Sequence, residues 1–174
     1  MLIRDETSTD HAAVDGITAR AFAPMPYSNG TEPAIIKALR ASGDLTLSLV
    51  AEDGDTLIGQ ITFSPVKING EHDGWFGLGP VAVEPERQGQ GIGGALIRAG
   101  LERLAALGAK GCVLVGNPDY YRRFGFQNHC GLSYNGLDTA YVQKRVLAGP
   151  DKTGPLAYCQ SFERATAGSL DQET

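Results

Sequence analysis

The segment Glu84-Pro85-Glu86-Arg87-Gln88-Gly89-Gln90-Gly91-Ile92-Gly93-Gly94 joins an apolar run, Val81-Ala82-Val83, to a stretch with helical periodicity. Its glycines let the backbone turn tightly and let a ligand approach without Cβ atoms in the way. The first N–H groups of a following helix have no partners of their own, and the helix dipole favours an anion beside them. A phosphate or pyrophosphate is therefore the natural guest of this turn.

Outward from the turn, Ile92 to Leu107 reads as the strongest helix of the chain, with Ile92, Ala95, Leu96, Ala99, Leu104 and Leu107 as its apolar stripe and Gly108 as its C-cap. Cys112-Val113-Leu114-Val115 is a short, wholly apolar run, the pattern of a buried central strand. Asn117-Pro118 then reads as an N-cap and first residue of a short helix reaching about Phe124. Upstream, Trp75 to Val83 is strand-like, but three glycines and Pro80 predict an irregular one. It follows two further strand-like runs, Leu45–Ala51 and Leu57–Ile68, joined by an Asp-Gly turn.

The N-terminal part supplies a short strand at Leu2–Arg4, a helix opened by Thr9 or Asp10 and carrying Val14, Ile17 and Ala21, and a second helix over about Glu32–Ala41. Phe126–Tyr134 and Leu156–Phe162 are the last strand-like runs, with a helical or loop segment around Ala140–Leu147 between them. Residues 1–164 are expected to form one domain, and 165–174 a flexible tail.

Composition narrows the function classes. The 174 residues are 42% hydrophobic and 20% charged, as in a folded globular domain. Net charge is −5 and basic residues form no long run, so a nucleic-acid surface is not expected. Neither a signal-like stretch nor an apolar run of about 18 residues is present, so a cytoplasmic protein with no membrane partner is expected. Three widely spaced cysteines without C-x-x-C, and three histidines without metal spacing, predict neither disulfides nor a metal site.

Three phosphate-binding patterns compete at the turn. Gly89, Gly91 and Gly94 satisfy G-x-G-x-x-G, but a dinucleotide fold repeats βαβ units, and only one is evident. A nucleoside-triphosphate loop lacks its Gly-Lys-Ser/Thr. The third pattern, Q-x-x-G-x-G, is met by Gln88, Gly91 and Gly93. With Tyr120-Tyr121-Arg122-Arg123-Phe124-Gly125-Phe126 about thirty residues on, it resembles the GNAT superfamily of N-acetyltransferases, whose marks are that turn and Y-x-x-x-G-F. Arg4 followed by Asp10 matches the family's usual opening, and the likeness spans Leu2 to Phe162.

The resemblance implies an α/β (α+β) fold with a mixed, mostly antiparallel central sheet flanked by helices, and acetyl-CoA as co-substrate with no metal. It implies transfer of an acetyl group to a primary amine in a ternary complex. Main-chain groups of Val81 and Val83 would pair with the pantetheine arm; Gln88, Gly89, Gln90, Gly91, Ile92 and Gly93 would hold the pyrophosphate, with Asn117 nearby. Tyr121, four residues before Gly125, stands at the general-acid position. Two departures remain: the catalytic Glu of some members is Gly77 here, and Asn117 precedes Tyr121 by four residues rather than seven. A coenzyme A-binding module without catalysis is the rival from another class. The acceptor is expected to be a small-molecule or peptide amine shaped by the Phe22–Thr31 loop and the segment between the last two strands. A homodimer is left open.

Overall fold

The computed structural model describes residues 1–167. Its elements are β1 (Leu2–Asp5), α1 (His11–Phe22), α2 (Glu32–Ser42), β2 (Leu47–Asp53), β3 (Thr56–Ile68), β4 (Trp75–Val83), α3 (Ile92–Ala106), β5 (Gly111–Val115), α4 (Pro118–Tyr121), β6 (Leu132–Ser133), β7 (Val142–Val146), β8 (Gly154–Tyr158) and α5 (Gln160–Ala167). Of the expected tail, residues 168–174 lie outside the described residues, and Ala165–Ala167 complete α5.

Strands are ordered β1-β2-β3-β4-β5-β7, with β8 on β3 and β6 on β8. Among the described residues only the β4–β5 and β6–β8 pairs are parallel. Hairpins explain the antiparallel part: Asp53 closes on Thr56 through the Asp-Gly turn. The β4–α3–β5 crossover explains the parallel pair, because strands running the same way need a long connection between them. One face of the sheet packs on α3, where Leu96, Ile97, Leu101 and Leu104 meet Leu49, Ile61 and Phe63 in the main core. The other carries α1 and α2 through Val14, Ile17 and Ile36. The mixed, mostly antiparallel sheet with flanking helices is the fold that the resemblance implies.

Three local expectations are corrected. Ala140–Leu147 is not helix or loop; it contains β7, the antiparallel partner of β5 from Gly111↔Val146 to Val115↔Val142. Its Val-Gln-Lys-Arg-Val sequence hides a largely buried strand because the side-chain nitrogens of Gln143 and Lys144 find internal acceptors, although Gln143 Oε1 is buried without a partner. Gln143 Nε2 donates to Gly116 O (2.9 Å), and Lys144 Nζ donates to Cys130 O (2.5 Å) and Lys152 O (2.6 Å). Phe126–Tyr134 holds only the two-residue β6, and Leu156–Phe162 divides into the end of β8 and the start of α5. Asp10 precedes α1 as expected, yet its carboxylate does not cap that helix. It accepts from Thr7 N–H (2.8 Å) and from both terminal nitrogens of Arg4 (2.7 and 3.1 Å), and the Arg4 guanidinium holds the carboxyl well below the usual range.

Candidate functional site

The parallel pair β4–β5 is short. It joins Trp75, Phe76 and Gly77 to Gly111, Cys112 and Val113, and stops there. Beyond Gly77, β4 continues to Val83 on β3 alone, and β5 continues to Val115 on β7 alone. The sheet therefore opens as a wedge between Leu78–Val83 and Leu114–Val115. The expected irregularity of β4 lies here: its register against β3 shifts between Ile61 and Phe63. The displaced Pro80 carbonyl is taken up by Thr62 Oγ1 (3.1 Å) and Gln60 Nε2 (3.3 Å), both on buried β3 residues.

A cavity of about 1150 Å³ occupies this wedge. One part of its wall is the glycine turn with the start of α3. Gly91 is the N-cap of α3 in the left-handed region (φ 83°), and Ala95 N–H is the first to be taken up, by Gly91 O at 3.0 Å. The N–H groups of Ile92, Gly93 and Gly94 thus have no acceptor within the helix. Around Gly89 and Gly91 a Cβ would meet nothing within 4 Å, so the space above the turn is open to a ligand. Among the described residues this is an anion cradle with room for a pyrophosphate, continuous with an unpaired strand edge that can accept an extended amide chain.

Val81, Val83, Gln88, Gly89, Gly91, Ile92 and Gly93 all line the cavity, together with Asn117 and Tyr121. Gln90 does not; its Oε1 accepts from Arg87 Nε at 3.1 Å. Gln88 turns its side-chain amide back onto Val83 O (3.1 Å), tying the turn to the strand. Asn117 acts as the cap of α4, accepting from Asp119 N–H at 2.9 Å.

Tyr121 ends α4, and its ring lies where a side chain at 116 would be: a Cβ on Gly116 would stand 2.6 Å from it. Edge-on contacts with Tyr120 (4.9 Å between centroids) and Phe126 (6.1 Å) hold the ring. Burial, with smaller effects from Tyr120 and Tyr27, pushes its phenol well above the ordinary tyrosine value. Tyr120 is separated from it in role by position. Its hydroxyl would stand 3.3 Å from a Cβ on Gly93, at the start of α3, and Arg123 covers its ring at 4.8 Å. Nothing in the sequence pattern had marked Tyr120 as part of the cavity wall beside the start of α3; the contact depends on how α4 docks against α3.

Gly77, where some members of the resembled family carry Glu, faces an aromatic ring. A Cβ there would be 2.5 Å from Tyr158, itself buried and stacked on Phe162 (4.2 Å, 16°). Among the described residues no Asp, Glu or His lines the cavity. Cys112 is buried, and burial pushes its thiol up; Cys130 and Cys159 are free thiols away from the cavity wall. Among the described residues no group of three or more His, Cys, Asp or Glu side chains could hold a metal ion, and no helix is long and apolar enough to cross a membrane.

The rest of the wall comes from the two segments expected to shape the acceptor pocket: Phe22, Met25 and Tyr27 from the first, Leu137 and Tyr141 from the second. Tyr141 is fixed beside the wedge because its carbonyl accepts from Gly116 N–H at 3.0 Å.

Comparison with known proteins agrees with this geometry. The family model described as "Acetyltransferase (GNAT) domain" matches residues 44–128, which contain the hairpins, the glycine turn, α3 and the Tyr-x-x-x-Gly-Phe segment. The chain is 34% identical over 171 residues to the uncharacterized N-acetyltransferase YhbS of Escherichia coli K12, covering 94% of this chain and 99% of that one. The crystal structure of YhbS in complex with CoA superimposes with a TM-score of 0.85 at 35% identity, covering 94% and 92% of the two chains. That of a GNAT family acetyltransferase from Brucella melitensis in complex with acetyl-CoA gives 0.83 at 48% identity, covering 92% and 97%. The wedge, the glycine turn and these full-length relatives together show that the chain belongs to the GNAT family of N-acetyltransferases.

Proposed function

We propose that the protein transfers an acetyl group from acetyl-CoA to a primary amine in a ternary complex, with Tyr121 as general acid. The observation that carries this reading is a single cavity walled by a helix-start cradle, an unpaired β4 edge and the Tyr121 ring. Coenzyme A-bound relatives with TM-scores of 0.83 and 0.85 support it.

Bound acetyl-CoA supplies an acyl group activated as a thioester. The N–H groups at the start of α3 hold the pyrophosphate, helped by the dipole of a fifteen-residue helix. Main-chain groups of Val81 and Val83 would hold the pantetheine arm as an added strand, and an N–H of this edge would polarise the thioester carbonyl. Tyr121 keeps a proton on its phenol for the departing sulfur. Its raised pKa makes it a weaker donor than an ordinary tyrosine and keeps the phenol protonated at neutral pH; placement outweighs the mismatch. No side chain in the wall serves as general base, so the amine enters neutral or loses its proton to water.

A coenzyme A-binding module without catalysis is the second reading, and the base-free wall favours it. Thermal unfolding and thiol release separate the two. Acetyl-CoA raises the midpoint in both readings, since a ligand bound only by the native state stabilises it. Release of free thiol that depends on an added amine occurs only in the first. No thermal shift at millimolar acetyl-CoA overturns both.

A further inference from the structure

Among the described residues, eight large apolar side chains are notably exposed, and four of them line the cavity: Tyr27 (77%), Tyr141 (51%), Leu137 (44%) and Val115 (39%). Single exposed apolar residues are ordinary, but their convergence on one concave surface marks a place where something apolar is bound. Phe22 and Met25, both half-buried, continue this surface within the cavity.

The second observation is charge. Among the described residues the wall contains no Asp, Glu, His or Lys, and its one ionic side chain, Arg87, is paired with Asp53 at 2.9 Å. A polyamine or aminosugar carries several positive charges and is held by carboxylates that complement them. Moving such a cation onto this wall would remove its hydration and return no counter-charge, so the charged form is disfavoured there. The same wall suits an amine whose body is apolar: the rings of Tyr27 and Tyr141 and the Leu137 side chain offer contact area, and the phenols offer polar tips.

We infer that the acceptor is a primary amine on an apolar, aromatic-sized body, taken up in its neutral form against Tyr27, Leu137 and Tyr141, and that polycationic amines are rejected. The inference rests on the acetyl-transfer reading above. In the reaction the amine nitrogen bonds the acyl carbon and the carbon–sulfur bond breaks. One nitrogen-bound proton passes to water, Tyr121 gives its proton to the sulfur, and water restores the phenol.

The test measures thiol release at saturating acetyl-CoA with phenethylamine, tyramine, spermidine and kanamycin. Phenethylamine and tyramine are expected to exceed the polycations in kcat/KM by roughly tenfold or more, the discrimination a small apolar pocket can supply. Leu137→Asp places a carboxylate on the exposed rim; it is expected to raise KM for phenethylamine, narrow the gap to spermidine and leave the acetyl-CoA Kd unchanged by calorimetry. Tyr27→Ala, on an exposed loop, gives a second measure of the same KM effect. Preference of the native enzyme for spermidine or kanamycin overturns the inference and leaves acetyl transfer standing. Binding of acetyl-CoA without thiol release from any of the four amines defeats both. Loss of octanoyl-CoA affinity in Leu137→Asp, with unchanged amine kinetics, assigns the surface to an acyl chain and overturns the inference alone.

Discussion

At the glycine turn the cavity wall is main chain, whereas at the aromatic rim it is side chain. Gln88–Gly93 runs from the end of the eight-residue connection between β4 and α3 into the first two residues of the helix, and it presents N–H groups that any residue but proline could donate. Tyr27, Leu137 and Tyr141 come from segments more than a hundred residues apart and bring almost no main-chain function to the cavity. A site made of backbone tolerates few changes of conformation and many of chemistry; a site made of side chains tolerates the reverse. In the proposed reading the first would hold a ligand common to the family, and the second is where one member can differ from another. Tyr121 stands between them, a side chain whose position is set by the backbone of Gly116 and the cap of α4.

The sharpest challenge to this contrast is Tyr121→Phe. Turnover is expected to fall roughly 10²–10⁴-fold while the acetyl-CoA Kd stays near its native value. Full turnover in that variant, measured by thiol release, would show that the main-chain wall performs the chemistry without a side-chain acid.

Gly91→Val probes the main-chain wall itself. A β-branched residue at φ 83° costs on the order of 1–3 kcal/mol, about 5–150-fold in affinity if the strain is relieved by distorting the cradle. Calorimetry on a variant with native circular dichroism should show weaker acetyl-CoA binding. Unchanged affinity would reduce the turn to a connector.

Gly77→Glu asks whether a base can simply be installed in the base-free wall. The new side chain meets the Tyr158 ring, so overpacking of roughly 1–3 kcal/mol and a midpoint several degrees lower are expected, with no gain in rate. A faster enzyme would mean that the ring yields and that the missing carboxylate had been limiting.

The smallest effect is expected from Tyr120→Phe. Its hydroxyl lies beside Gly93 at the start of α3; if it donates to the pyrophosphate, losing that hydrogen bond should weaken acetyl-CoA binding by about 0.5–1.5 kcal/mol and leave kcat at saturation unaltered. A fall in kcat with native affinity would move the acid from Tyr121 to its neighbour.

The same contrast explains what could be read from the amino acids. The β4–α3–β5 crossover and its turn were legible because glycine, helical periodicity and an apolar strand are all local signals. Nine of the ten residues named for the site do lie on the cavity wall; Gln90, whose side chain pairs with Arg87, does not. β7 was illegible because Gln143 and Lys144 are buried with acceptors supplied by distant carbonyls of Gly116, Cys130 and Lys152. The two segments expected to shape the acceptor pocket could be named from the sequence, the second as helix or loop, but their convergence required β7 to be in place beside β5, since Tyr141 adjoins it. The place of Tyr120 against Gly93 likewise belongs to the docking of two helices, which no single segment encodes.

The wedge between β4 and β5 has a consequence for self-association. An unpaired strand edge at the rim of a sheet invites any passing strand and is a familiar route to aggregation. Here the edge lies inside the sheet, closed at Gly77↔Val113 by ordinary pairing. A polypeptide strand seeking to insert would have to find room for about two strand spacings of roughly 4.8 Å each, and for its own side chains, against a vertex that tapers to one. A slender chain tethered at one end by a pyrophosphate has no such bulk. The fold thereby filters by girth, keeping a sticky edge available to a thin ligand while denying it to other proteins.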